Sequence, residues 1–121
     1  MKLLDTNSDD VKIKGWDVYS TEETPIGTWI DGKTIYRRVA TATLGSTSSW
    51  TTLVNISSWN VSVVTQLYGY CSSGEYSKRI PMYESGSYYI TVARKGNYIY
   101  YLSQGHSGVK VVLIIEYTKT S

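Results

Sequence analysis

The sequence predicts an all-β fold, an antiparallel, jelly-roll-like β-sandwich, and three observations lead to this prediction. Apolar and polar residues alternate with a period of two in several segments, and no segment keeps the longer period of an amphipathic helix. The turns Asp31-Gly32 and Lys95-Gly96-Asn97 lie between such segments and have the composition of β-hairpin loops. Further serine-glycine pairs divide the remaining chain into about eight short strands, as in sandwiches and jelly rolls.

A length of 121 residues suits a single domain with one core. Residues 1–15 are rich in Asp, Asn, Ser and Lys, so we expect a linker or the stub of a stalk there. The sandwich is expected to span residues 16–121. Residues 20–23 have the composition of a helix capping box, but Pro25 and Gly27 follow where an apolar helical run would begin. We therefore predict a turn at residues 20–23.

The predicted strands begin at the first turn, where residues 28–30 and 34–36 flank Asp31-Gly32 as a hairpin. A later strand presents Tyr88, Ile90 and Val92 on one face and reverses at the second turn. The alternating segments are, in order, residues 35–42, 61–68 and 88–92, with a return strand at residues 98–102.

Both faces of the last strand are apolar. Residues 111, 113, 115 and 117 form one apolar face, and Val112 and Ile114 lie on the other. A strand that is apolar on both faces must be covered on both. We expect the sandwich core on one side and a neighbouring subunit on the other; the alternative is a three-layer region within one chain.

Composition excludes several classes of function. A formal net charge of +2, with no stripe of Lys and Arg, argues against a nucleic-acid partner. The single cysteine, Cys71, predicts neither a disulfide framework nor a cysteine-based metal site, and we expect no cofactor. No apolar run approaches the ~20 residues of a membrane-spanning helix, so we expect no membrane insertion. Residues 1–5 are too polar for a signal peptide, which predicts synthesis in a cytoplasm.

Two segments have distinctive sequences: residues 19–38 read YSTEETPIGTWIDGKTIYRR, and residues 111–120 read VVLIIEYTKT. They resemble the C-terminal head domain of phage tail-fibre, head-fibre and baseplate proteins, with Thr34 where such domains often have proline. The resemblance implies a homotrimeric β-domain at a fibre tip, preceded by a fibre shaft, that attaches a virion to its host surface after release from the host cytoplasm. Residues 44–110 have no such similarity, and we expect the residues that determine ligand specificity to lie there.

Binding to a host glycan requires aromatic faces that stack on sugar rings and polar groups nearby, usually on loops. The chain has 12 Tyr and 4 Trp but no Phe, which favours rings with one edge near water or a ligand, although β-rich proteins also favour tyrosine. Tyr83 is another aromatic in a loop-like context, whereas Trp16 and Trp29 are assigned to packing. For each loop ring the alternative is packing at a sandwich edge or subunit contact. The predicted glycan-binding residues are Trp50, Trp59, Asn60, Tyr76, Arg79, Arg94 and His106.

Catalysis has little support in the sequence, and we predict no enzyme activity. His106 is the only histidine, so no second histidine could share a metal, and no nucleophile motif such as Gly-x-Ser-x-Gly occurs. Glu75 and Glu84 are the only carboxylates expected to meet in a cleft. Three functions therefore stay open: host attachment by multivalent glycan binding, a structural trimerisation and folding cap of a fibre, and a polysaccharide-degrading tailspike head.

Overall fold

The computed structural model describes residues 19–45 and 47–120. The predicted linker at residues 1–15 and Trp16 lie outside this part of the chain. The described residues form nine strands and a short 3-10 helix at Ser57–Trp59. The strands are β1 (Thr24–Thr28), β2 (Thr34–Thr43), β3 (Thr47–Asn55), β4 (Val61–Ser73), β5 (Tyr76–Ile80), β6 (Met82–Ser85), β7 (Tyr88–Lys95), β8 (Tyr98–Gln104) and β9 (Lys110–Lys119).

The strands build two antiparallel sheets around one core, which confirms the predicted all-β sandwich. The five-stranded sheet has the order β1-β2-β9-β4-β5, and the four-stranded sheet has the order β3-β8-β7-β6. β2 pairs with β9 in one sheet and β3 pairs with β8 in the other. The early and late parts of the chain therefore wind side by side, as in a jelly roll. β4 and β5, β6 and β7, and β7 and β8 pair as neighbours along the chain.

The core contains the odd-numbered face of β9. Val111, Leu113, Ile115 and Tyr117 are buried between the sheets, as the alternation predicts. Side chains of the four-stranded sheet, such as Ile99, complete the cluster. Because β9 lies between β2 and β4, both of its backbone edges are hydrogen-bonded, and this strand forms the centre of the larger sheet.

The second apolar face of β9 is only partly covered. Val112 and Ile114 are half-buried on the outer face of the five-stranded sheet. The register places Val39 of β2 and Tyr68 of β4 on either side of Ile114. Residues 19–45 and 47–120 form two layers, so the alternative of a three-layer region does not occur in this part of the chain.

The first predicted hairpin forms, but its loop differs from the expectation. The Trp29 N–H donates to the Lys33 carbonyl oxygen at 2.8 Å, and the Gly32 N–H donates to the Trp29 carbonyl oxygen at 2.9 Å. These bonds close a three-residue loop in which Gly32 alone has a positive φ, of 88°. Asp31 does not have a positive φ, and Ile30 is an exposed loop residue rather than the strand residue that the sequence predicts. A three-residue loop needs only one left-handed residue, at its last position.

The second hairpin and the predicted turn at residues 20–23 are both confirmed. Lys95 pairs with Tyr98, which leaves a two-residue loop with Gly96 at a φ of 59°. In the first segment the Ser20 hydroxyl accepts a hydrogen bond from the Glu22 N–H, and β1 begins directly afterwards. A serine side chain that bonds the backbone two residues later favours a turn over a helix.

The two segments that resemble phage fibre heads lie against each other. Arg37 of β2 and Glu116 of β9 are paired in register and joined by an ion pair of 3.0 Å. Glu23 accepts hydrogen bonds from the Tyr117 hydroxyl at 2.6 Å and from the Lys119 ammonium at 2.9 Å. The Glu116 side chain is nearly buried, because its ion-pair partner lies directly opposite on the adjacent strand.

These contacts shift two pKa values. Burial raises the pKa of the Glu23 carboxyl, but the hydrogen bonds from Tyr117 and Lys119 outweigh it, so the net pKa lies below the ordinary value of 4.5. Burial, together with the hydrogen bond to Glu23, raises the pKa of Tyr117. A depressed carboxylate pKa in the folded state means that the folded protein is more stable when this group is ionised.

Candidate functional site

A cavity of about 300 Å³ opens at the end of the sandwich where β4 ends and β9 begins. The β4–β5 and β6–β7 hairpins and the connection from β8 to β9 all meet at this end. Such a convergence of loops on a rigid β-scaffold is where binding residues commonly occur. We call this the end cavity; its lining includes Cys71, Tyr76, Lys78, Tyr88, Gly105 and His106.

Two tyrosines supply the aromatic surface of the end cavity. Tyr76, the first residue of β5, is 71% exposed, and Tyr88, the first residue of β7, is about half exposed. The edge-on contact between Tyr88 and His106 has a centroid distance of 5.6 Å and an interplanar angle of 87°. Both tyrosines therefore carry apolar ring surface and a hydroxyl at a place that a small ligand can reach.

His106 is the buried polar group of the cavity. Its Nδ1 atom lies 2.7 Å from the Gln104 carbonyl oxygen, which can only accept a hydrogen bond. Nδ1 therefore carries the proton, and in the neutral ring Nε2 is an acceptor. Nε2 is buried and has no hydrogen-bond partner within the described part of the protein. An unpaired buried polar atom of this kind costs about 1–3 kcal/mol.

Lys78 places a paired positive charge at the cavity. Its ammonium lies 3.0 Å from Glu84 and 5.8 Å from the centroid of the Tyr88 ring. The hydrogen bond to Glu84 raises the pKa of Lys78, which stays protonated at neutral pH. Glu84 is paired with this lysine, Glu75 lies in an exposed turn, and neither carboxylate is among the residues that line the end cavity.

Gly105 sets the distance between the loop after β8 and the β6–β7 hairpin. Its φ is 78°, and a Cβ atom at this position would lie 2.6 Å from the Ser87 carbonyl oxygen and 2.8 Å from Tyr88 Cδ1. Only glycine combines this left-handed backbone with so close an approach. Gly105 thus allows the Tyr88 ring to lie against the loop that carries His106.

The end cavity brings together only two of the sequence-predicted residues, Tyr76 and His106. Trp50 is exposed in β3, at the edge of the four-stranded sheet. Arg79 is exposed in β5 and lines a separate cavity of about 450 Å³ on the outer face of the five-stranded sheet. Asn60 has a left-handed backbone after the 3-10 helix, and its carbonyl oxygen accepts from the Thr120 N–H at 2.9 Å.

Two other predicted residues have structural contacts. The Trp59 ring stacks on the Tyr117 ring at a centroid distance of 5.4 Å. The guanidinium of Arg38, a residue of β2, lies 4.8 Å from the centroid of the Trp59 ring. The Arg94 guanidinium donates to three backbone carbonyl oxygens, those of Gly96, Ser62 and Val61. Both side chains are engaged within the sandwich, and neither lines the end cavity. Trp29, assigned to packing, is half-buried at the first hairpin.

Sequence reasoning missed three residues of the end cavity. Tyr88 was placed only on a strand face, and Lys78 and Gly105 were not singled out. Tyr88 does follow the turn at Ser85-Gly86, and Gly105 directly precedes His106, so the local signals existed. What joins these residues is the packing of three distant connections, which no local pattern contains.

Comparisons with protein-family models, curated proteins and solved structures found no significant match to this chain. Among the described residues, no group of three or more His, Cys, Asp or Glu side chains could hold a metal ion. Over residues 19–45 and 47–120, no helix has the length and apolar character needed to cross a membrane.

Proposed function

We propose that this domain is the distal head of a phage fibre and attaches the particle to its host by binding a surface glycan in the end cavity. The observation that carries the proposal is that Tyr76, Tyr88 and His106 line one cavity, and that the buried Nε2 atom of His106 has no hydrogen-bond partner among the described residues. The resemblance of residues 19–38 and 111–120 to fibre heads supplies the biological context, and the contacts between these segments are those of a scaffold.

A sugar ring matches the chemistry of the end cavity. The apolar face of a pyranose can lie on a tyrosine ring, and the sugar hydroxyls can accept hydrogen bonds from the Lys78 ammonium. A cavity of about 300 Å³ is at the small end of the range for ligand sites, which suits one sugar unit of a longer chain.

We further propose that the head is a homotrimer formed through the outer face of the five-stranded sheet. The half-buried Val112 and Ile114 support this, since Val39 and Tyr68 extend the same apolar surface to the neighbouring strands. Three heads per fibre would multiply a weak glycan contact by raising the effective concentration of each further site. A trimerisation and folding cap without receptor contact is the second candidate, and this same face favours it.

The glycan proposal is tested with an array of bacterial surface polysaccharides and with host-cell adhesion. Tyr76→Ala is expected to lower binding about tenfold per site, the equivalent of 1.4 kcal/mol, with an unchanged melting temperature. Tyr98→Ala, which removes an exposed tyrosine outside the end cavity, is the matched control and should bind normally. Trp59→Ala should lower the melting temperature, because this ring packs on Tyr117. Normal adhesion by Tyr76→Ala would contradict the end-cavity proposal.

Light scattering tests the oligomer. We expect a mass of three chains, and a mass near 13.6 kDa at micromolar concentrations would contradict both the trimer and the avidity argument. Ile114→Lys should break the trimer, since a charge in an apolar interface is costly. A stable trimer that binds neither the polysaccharide array nor host cells would favour the folding cap.

A further inference from the structure

A second concave surface lies on the outer face of the four-stranded sheet. It has a volume of about 510 Å³, and its lining includes Pro81, Tyr83, Tyr89, Thr91 and Leu102. The register places Tyr83 of β6 directly opposite Tyr89 of β7, and Thr91 opposite Leu102 of β8. We call these five residues the tyrosine platform.

The two rings of the platform are held in a stacked arrangement. The centroids of Tyr83 and Tyr89 are 6.1 Å apart, with an interplanar angle of 23°. Tyr83 is nevertheless 73% exposed, the highest value among the exposed tyrosines of the described chain. An aromatic ring that is oriented by a neighbour and left open to solvent presents a preformed flat surface, so a ligand that stacks on it loses little side-chain entropy.

The lining indicates an uncharged ligand that carries hydroxyl groups. None of the platform residues bears a formal charge, so the surface has no group to balance an ionic ligand. The side-chain hydroxyls of Tyr83, Tyr89 and Thr91 make no hydrogen bond to other described residues, and they can donate and accept at the rim. Flat apolar surface with hydroxyls around it is complementary to a neutral sugar, which has apolar ring faces and a polar edge.

A small ligand fits this surface better than a protein partner does. Its volume of about 510 Å³ falls within the range of about 300–1,000 Å³ that is usual for small-molecule sites. A trimer formed through the five-stranded sheet would also leave the four-stranded sheet uncovered, because the two sheets face in opposite directions.

We propose that the tyrosine platform is a second carbohydrate site, which accepts the apolar face of a neutral pyranose on Tyr83 and Tyr89. This inference rests on the proposed glycan-binding function and adds a site to it. The platform and the end cavity share the β6–β7 hairpin, since Tyr88 lines the end cavity and its neighbour Tyr89 lies on the opposite face of β7. One glycan chain that passes around this hairpin could therefore occupy both sites.

The test is a titration of the isotope-labelled domain with maltotriose, cellotriose and chitotriose, followed by NMR of the aromatic and methyl signals. We expect shifts at Tyr83, Tyr89 and Thr91 with each neutral trisaccharide, because stacking tolerates differences in ring substitution. Tyr83→Ala should lower the affinity at the platform about tenfold, whereas Tyr83→Phe keeps the ring and should lower it less than threefold. Tyr76→Ala should remove shifts at the end cavity only.

The outcomes separate the two proposals. Shifts at the end cavity with none at Tyr83 and Tyr89 would overturn the platform and leave the proposed function intact. If the platform signals still shift in Tyr76→Ala, and the unsubstituted domain shows no polysaccharide binding at the end cavity, the platform site is supported and the end-cavity proposal is contradicted. A change in oligomer mass on Tyr83→Ala would show that this face is a subunit contact, which would overturn the carbohydrate site.

Discussion

Gly105→Ala should damage both the stability of the domain and the end cavity. The added Cβ atom would lie 2.6 Å from the Ser87 carbonyl oxygen and 2.8 Å from Tyr88 Cδ1, so backbone or ring must move. The φ of 78° adds the strain of a left-handed residue with a side chain, about 1–2 kcal/mol. Gly108→Ala is a matched control in the same connection, because Gly108 has a φ of 80° and nothing within 4 Å of the added atom.

The difference between the two variants isolates the steric contact. Overpacking of this kind costs about 1–3 kcal/mol beyond the backbone strain that both variants share. For 121 residues the entropy of unfolding is about 0.25 kcal/mol/K, so each kcal/mol lowers the melting temperature by about 4 °C. Gly105→Ala should therefore melt about 4–12 °C below Gly108→Ala.

Circular dichroism melts and the polysaccharide array together provide the assay. Gly105→Ala should lose binding at a temperature where it is still folded, because the displaced Tyr88 ring no longer forms the cavity wall. Gly108→Ala should bind normally despite its own backbone strain. Equal melting temperatures and equal binding of the two variants would refute the close approach of the Gly105 loop to the β6–β7 hairpin.

Three further predictions concern the scaffold. Gly69→Ala should lower the melting temperature strongly, since its Cβ atom would overlap the backbone of β9. Gly27→Ala is the control, because its Cβ atom would enter open space, and similar melting temperatures of the two variants would contradict the β4–β9 register. Gly32→Val should destabilise the first hairpin by about 1 kcal/mol or more relative to Lys33→Ala, and equal melts would argue against a left-handed residue there. The pKa of Glu23 is lowered in the folded protein, so the stability that its carboxylate contributes is complete above the pKa of the unfolded state and is lost as the pH falls through the pKa of the folded state. Glu23→Gln should therefore lose less stability than the unsubstituted protein between about pH 5 and 2 in urea titrations. An unchanged dependence of stability on acid pH would refute this.

Some residues could be interpreted from the sequence because their surroundings are set by near neighbours. Val111 to Tyr117 alternate as a buried strand must, and the glycine at position 96 marks a hairpin whose partners are adjacent in the chain. Trp59 and Arg94 could not be interpreted in this way. Each lies beside turn residues and looks accessible, but Trp59 stacks on the last strand and Arg94 reaches the start of β4.

The sequence by itself determined the all-β class, the two hairpins, the turn at residues 20–23 and the apolar faces of the last strand, because period and turn composition act over a few residues. Only the tertiary structure decided which aromatic rings remain open and which are covered. Tyr76, Tyr88 and His106 come from three separate connections, and their meeting depends on the pairing of β4 with β5 and β9 and on the approach that Gly105 permits. Contacts between residues so distant along the chain depend on sheet order and register, which local periodicity does not encode.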